Sequence, residues 1–152
     1  MDLPCARPIE TLPYVHTGWD ETEPNELDKI LKHGPINGTL RHLDLSRSSR
    51  VSVVPVCRLL AMFSNLHEVD LSHSRFDATA LRSLLGGLDG NTALQSLALN
   101  DCMLGDHGAS LLFSVVASRP LTSLGASYND FTNEGFGHLV RVLHWCHCHV
   151  LH

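Results

Sequence analysis

Lysine is nearly missing from this chain. Only Lys29 and Lys32 occur in 152 residues. A phosphate-binding surface needs clustered Lys and Arg to displace counterions, and no such cluster exists, which argues against nucleic acid. Apolar runs are short, and none reaches the length needed to span a bilayer. Aromatic residues make up 6% and charged residues 18%. The start, Met1-Asp2-Leu3-Pro4, has neither the basic residues nor the apolar run of a secretory signal. The cysteines (Cys5, Cys57, Cys102, Cys146, Cys148) are odd in number and follow no pairing pattern. Together these features predict reduced thiols and a cytoplasmic location. No phosphate loop is present: Gly86-Gly87 lies in a helical stripe with no Lys after it. Asn37-Gly38-Thr39 reads as turn chemistry rather than a glycosylation site.

Leucine, in contrast, occurs 26 times. The net charge of −5 is uneven. Asp2, Glu10, Asp20, Glu21, Glu23, Glu26 and Asp28 all fall within residues 1–39, against Arg7, Lys29 and Lys32.

The leucines repeat. Leu40, Leu43 and Leu45 are followed by Leu66, Val69 and Leu71, then Leu94, Leu97 and Leu99, then Leu121, Leu124 and Ala126. The ninth positions of these units are Ser48, Ser74, Cys102 and Asn129. The eleventh positions of the last three are Phe76, Leu104 and Phe131. Each second half has helical spacing: Leu81, Leu84 and Leu88; Ala109, Leu112 and Val116; Phe136, Leu139 and Leu143. Val54 to Phe63 fits with a one-residue shift, and Pro55 suits a helix start.

On these residues the chain resembles the leucine-rich-repeat family, in its ribonuclease-inhibitor-like class. Leu94 to Leu104 and Leu121 to Phe131 follow its motif, with Cys102 and Asn129 in the Asn/Cys place. Ser48 and Ser74 depart from it, which predicts looser first turns. The resemblance implies an α/β right-handed solenoid, with parallel strands on a concave face and helices on the convex face. Elementary packing agrees: one strand-helix unit cannot bury its apolar side alone, so units stack. An Asn at the ninth position can satisfy buried backbone groups of the turn.

The resulting division is a loose N-terminus over 1–11, a worn unit or cap over 12–39, and leucine-rich repeats over 40–152. The repeats run 40–65, 66–93, 94–120 and 121–147, with a truncated fifth from 148. In the worn unit Leu12 would start a strand, with Val15 and Thr17 behind it. In the fifth, Cys148 would start a strand with Leu151 at its fourth position. The pattern therefore expects more sequence than His152 allows. A fragment of a longer protein and an inaccurately ended gene model are the preferred explanations. A subunit whose open end pairs with something is the third.

The register also predicts the outward rows of the sheet. They are His42, Glu68, Ser96 and Ser123; Asp44, Asp70, Ala98 and Gly125; Ser46, Ser72, Asn100 and Ser127; and Arg47, His73, Asp101 and Tyr128. A face carrying these side chains suits a protein partner, in particular a basic or hydroxyl-rich segment. The candidate contact residues are His42, Asp44, Arg47, Glu68, Asp70, His73, Asn100, Asp101 and Tyr128, with Tyr128 and Trp145 as aromatic anchors. Solvated strand faces also carry such residues with no partner at all. His42 and Glu68 could form an acid-base pair, but an open face lacks the pocket catalysis needs. The expectation is a non-catalytic interaction module without cofactor. A regulatory or sensor segment of a larger protein is the alternative. A second alternative is metal response through Cys146, His147, Cys148 and His149, although Cys-x-Cys spacing does not suit zinc.

Overall fold

The computed structural model describes residues 11–12, 40–47, 53–119, 121–143 and 149–151. Strands and helices alternate: β1 Thr11–Leu12, β2 His42–Asp44, α1 Val53–Met62, β3 Glu68–Asp70, α2 Ala78–Gly87, β4 Ser96–Ala98, α3 Gly105–Val116, β5 Ser123–Gly125, α4 Asn133–Leu143 and β6 His149–Leu151. The six strands form one parallel sheet in sequence order. From β2 to β6, with a helix before each next strand, this is α/β architecture.

The strands are short because the backbone turns away after three residues. The turn is closed by a left-handed residue at the eighth position of each unit: Arg47, His73, Asp101 and Tyr128 have φ of 58°, 60°, 53° and 58°. None is glycine, so each costs on the order of 1 kcal/mol. Backbone bonds between neighbouring turns hold them. The N–H groups of Arg47, His73 and Asp101 donate to the carbonyls of Ser72, Asn100 and Ser127 at 2.7, 2.7 and 2.8 Å.

The expected leucines form the core. Leu40, Leu43, Leu45, Leu66, Val69, Leu71, Leu94, Leu97, Leu99, Leu121 and Leu124 are all buried. Leu81, Leu84 and Leu88 of the second helical stripe join them, as do Ala109, Leu112 and Val116 of the third. In the first unit Val56, Leu60 and Phe63 fill the equivalent places. Strand residues alternate between buried and partly exposed. One face of the sheet is therefore covered by helices and the other is open. Each fully buried Leu contributes roughly 1.5–3 kcal/mol.

Three expectations need adjustment. Phe136 is 52% exposed rather than part of a buried stripe, because among the described residues no further helix packs on that side of α4. In β1, Leu12 pairs with Leu43 and not with Leu40, so that strand sits three residues earlier than Leu12 as a unit start would place it. In β6, Val150 pairs with Leu124, which puts Val150, not Leu151, at the fourth position. A chain that pairs by backbone hydrogen bonds can shift register without a change in local composition.

Candidate functional site

The open face of the sheet carries two outward rows in the register expected. His42, Glu68, Ser96 and Ser123 pair in succession, and so do Asp44, Asp70, Ala98 and Gly125. Parallel pairing brings every side chain of a row next to its neighbour, about 4.8 Å away.

In the first row His42 Nδ1 and Glu68 Oε2 lie 2.9 Å apart, with side chains 43% and 60% exposed. One turn further on, His73 Nδ1 and Asp101 Oδ2 are 3.0 Å apart and similarly exposed. Pairs this exposed contribute about 0–1 kcal/mol each. Their effect is to fix the direction of four polar side chains along the face.

Asp44 and Asp70 stand side by side, as expected, but they do not form a free acidic patch. Asp44 Oδ1 accepts the backbone N–H of Ser46 at 2.9 Å. Asp70 Oδ1 accepts that of Ser72 at 2.8 Å. Each carboxylate thus caps the turn that follows its own strand, an arrangement open to any Asp two residues before a free N–H. The next two units have Ala98 and Gly125 in this row and no carboxylate. There Asn100 takes over: its Oδ1 accepts the Ser127 N–H at 2.9 Å, and its Nδ2 donates to Ser72 Oγ at 3.2 Å. Gly125 makes room for it. A Cβ at Gly125 would fall 2.9 Å from Asn100 Nδ2. Ser72, expected to face outward, is buried at 4% exposure, and its hydroxyl also accepts the Asn100 N–H.

The eighth residues crown the turns. Arg47, His73, Asp101 and Tyr128 are all exposed. Tyr128 is the extreme case at 85%, yet its backbone is fixed between Ser127 and the buried Asn129. Asn129 is the best-connected polar side chain beneath the face. Its Oδ1 accepts the N–H groups of Cys102 and Leu104 at 2.8 and 3.4 Å. Its Nδ2 donates to the carbonyls of Leu99 and Ala126 at 2.6 and 3.0 Å. Cys102 does less in the same place, with Sγ 3.4 Å from the Leu71 carbonyl. Burial pushes its thiol up to about 11, only partly opposed by hydrogen bonds from the backbone of Ser74 and His73. Ser74 does least: among the described residues its buried hydroxyl finds no partner. The backbone of that turn nonetheless matches the others, with the His73 N–H bonded to the Asn100 carbonyl at 2.7 Å. Ser48 lies outside the described residues.

Two cross-unit supports were not foreseen from the sequence. Asp106, in the first turn of α3, closes the start of α4 through Thr132 and Gly135. These bonds hold its carboxyl below the usual range, the Thr132 hydroxyl contributing most. Arg119 closes the end of α2. It donates to the carbonyls of Leu88 and Asn91 at 2.7 and 3.2 Å and pairs with Asp89 at 2.8 Å. The signal available was only an acid at a helix start and a base near a helix end.

The helical side has a groove of about 600 Å³ between α1 and α2, lined by Cys57, Arg58, Ala61, Asp77, Thr79, Ala80, Ser83 and Gly87. Its acid is occupied, since Asp77 caps α2 by accepting the Ala80 N–H. Its thiol is pushed up by burial, which suppresses the reactive thiolate. The groove offers shape without convergent chemistry.

Among the described residues no three metal-ligating side chains cluster, and no helix is long and apolar enough to cross a membrane. Trp145, Cys146, His147 and Cys148 lie outside the described residues. His149 is placed only by its backbone in β6, opposite Ser123. No protein-family model matches the chain, and no curated protein matches it.

Proposed function

We propose that the chain is a right-handed leucine-rich-repeat solenoid and that its open sheet face binds a protein partner without catalysis. The observation that carries this reading is the contrast between the two faces. One is buried under helices. The other presents oriented polar side chains in register, with Tyr128 standing clear at 85% exposure.

The chemistry of the face favours a partner segment with basic or hydroxyl groups. Asp44, Glu68, Asp70 and Asp101 face it, against Arg47 as the one permanent cation at these positions. Each carboxylate has one oxygen committed within the chain. The other oxygen can accept a hydrogen bond from a ligand. Preset side chains lose less entropy on binding than free ones. Tyr128 adds a large aromatic surface at the end of the face where charge runs out. The polar pairs are half exposed, so they position and select a partner more than they bind it strongly.

The test is quantitative affinity capture from cell extract with Glu68→Lys, Tyr128→Ala and their combination. Arg58→Glu on the helical side serves as control. Loss of the same protein from the sheet-face variants, with retention by the control, supports the reading. Equal recovery by all variants contradicts it.

A further inference from the structure

Helix α4 leaves two large apolar side chains more than half exposed, although the Phe136 ring also meets Phe131 edge to face at 6.3 Å. Phe136 is 52% and Val140 62% exposed. Leu124 pairs with Leu97, an offset of 27 residues, and the same offset carries Phe136 onto Ala109 and Val140 onto Phe113. Those two residues of α3 are 0% and 1% exposed. The next unit covers them: Gly135 packs against Ala109, and Phe131 meets Phe113 edge to face at 6.0 Å. So α4 presents, largely exposed and still apolar, the positions through which α3 is covered.

The rest of that surface is complementary to itself. Glu134, Gly137 and Arg141 are exposed as well. At about 100° per residue, Gly137 lies between the apolar pair on one side and Glu134 with Arg141 on the other. Two copies of α4 laid antiparallel about a two-fold axis at Gly137 keep like sides together. Phe136 then meets Val140 of the second copy, and Glu134 meets its Arg141. Among the described residues, nothing beyond its chain neighbours and its own helix backbone lies within 4 Å of where a Gly137 Cβ would be, so two backbones can approach closely there.

We propose that α4 is a self-association surface whose occupant is a second copy of this chain, held antiparallel by the Phe136–Val140 contacts and two Glu134–Arg141 pairs. The helix has 11 residues, about 16 Å of length. That buries less than the roughly 800 Å² per partner of a standard interface, so the dimer is reversible and concentration-dependent.

Sedimentation equilibrium of the full chain from about 10 µM to about 1 mM reads this directly. The expected result is a monomer–dimer equilibrium that Phe136→Glu weakens by at least about tenfold. Glu134→Arg and Arg141→Glu each weaken it by juxtaposing like charges, and the double exchange restores it. Circular dichroism checks each variant's fold. Should Phe136→Glu not fold, the charge exchanges at exposed positions carry the test alone. A monomer throughout the range overturns the proposal. So does a dimer indifferent to these substitutions, or a double exchange that fails to recover association.

Discussion

Asp106 and Thr132 join two successive strand-helix units by a pair of hydrogen bonds. Asp106 Oδ1 accepts the Thr132 N–H at 2.8 Å, and its Oδ2 accepts the Thr132 hydroxyl at 2.6 Å. A third bond, from the Gly135 N–H at 3.0 Å, completes the cap. A Cβ at Gly135 would collide with Asp106 Oδ1, so the glycine is what lets the carboxylate lie over the helix start. The carboxylate also faces the positive end of α4.

These bonds favour the ionised form, and they hold the folded pKa below the unfolded one. The stabilisation is therefore complete above the usual carboxylate range and is lost as pH falls through the lowered folded value. Asp106→Asn should lower Tm at neutral pH. The gap from the parent should close in acid. Thermal melts of both proteins across that range check it; a constant gap at every pH would contradict it.

Removing Asn129 should be more damaging. Its side chain is 2% exposed and serves backbone groups on two consecutive turns. Asn129→Ala would leave buried N–H and C=O groups without partners, at a cost of about 2–4 kcal/mol. Urea denaturation followed by circular dichroism measures this. A loss below about 1 kcal/mol would show that the turns rearrange to satisfy those groups.

Gly125 and Asn100 should be energetically coupled. Gly125→Ala pushes the Asn100 amide out of its place, breaking its bonds to Ser127 and Ser72. The expected cost is about 1–2 kcal/mol. In an Asn100→Ala background the same glycine substitution should cost less, because the clash is gone. A double-mutant cycle reads the coupling, and additive effects would rule it out.

Cys102 should be the slower of the two described thiols. Its side chain is fully buried, and burial holds its pKa near 11. Cys57 is partly exposed at the α1–α2 groove. Alkylation near pH 8 with peptide mapping should modify Cys57 well before Cys102. The two should react alike once the chain is unfolded in denaturant. Equal rates in the folded protein would contradict the burial of Cys102.

Local backbone geometry explains why so much of the architecture could be read from the sequence. A strand buries alternate residues and a helix buries every third or fourth. Leu94, Leu97, Leu99, Ala109, Leu112 and Val116 therefore announce both elements of their unit, and the spacing of the units sets the rows of the sheet. His42 beside Glu68 follows from that count alone. The supports between units were not legible. Asp106 reaches across 26 residues to Thr132 and Arg119 across 31 to Leu88, and nothing near either residue marks its partner. Asp44 and Asp70 sit in the outward row that the count gives, but the turn N–H that each carboxylate accepts with one oxygen is not marked by that row. Phe136 fitted the helical stripe, but burial at its position depends on a further unit, not on its own helix.

Binding of a partner at the open sheet face has a direct physical readout. A photo-crosslinking amino acid placed at Ser96, in the middle of that face, or at Ser83, beside the α1–α2 groove, tests this most directly. Irradiation in cells followed by mass spectrometry identifies whatever each position touches. The expected result is a specific adduct from position 96, lost when Tyr128→Ala is added, and none from position 83. Crosslinking of the same protein from position 83 but not from position 96 would contradict it.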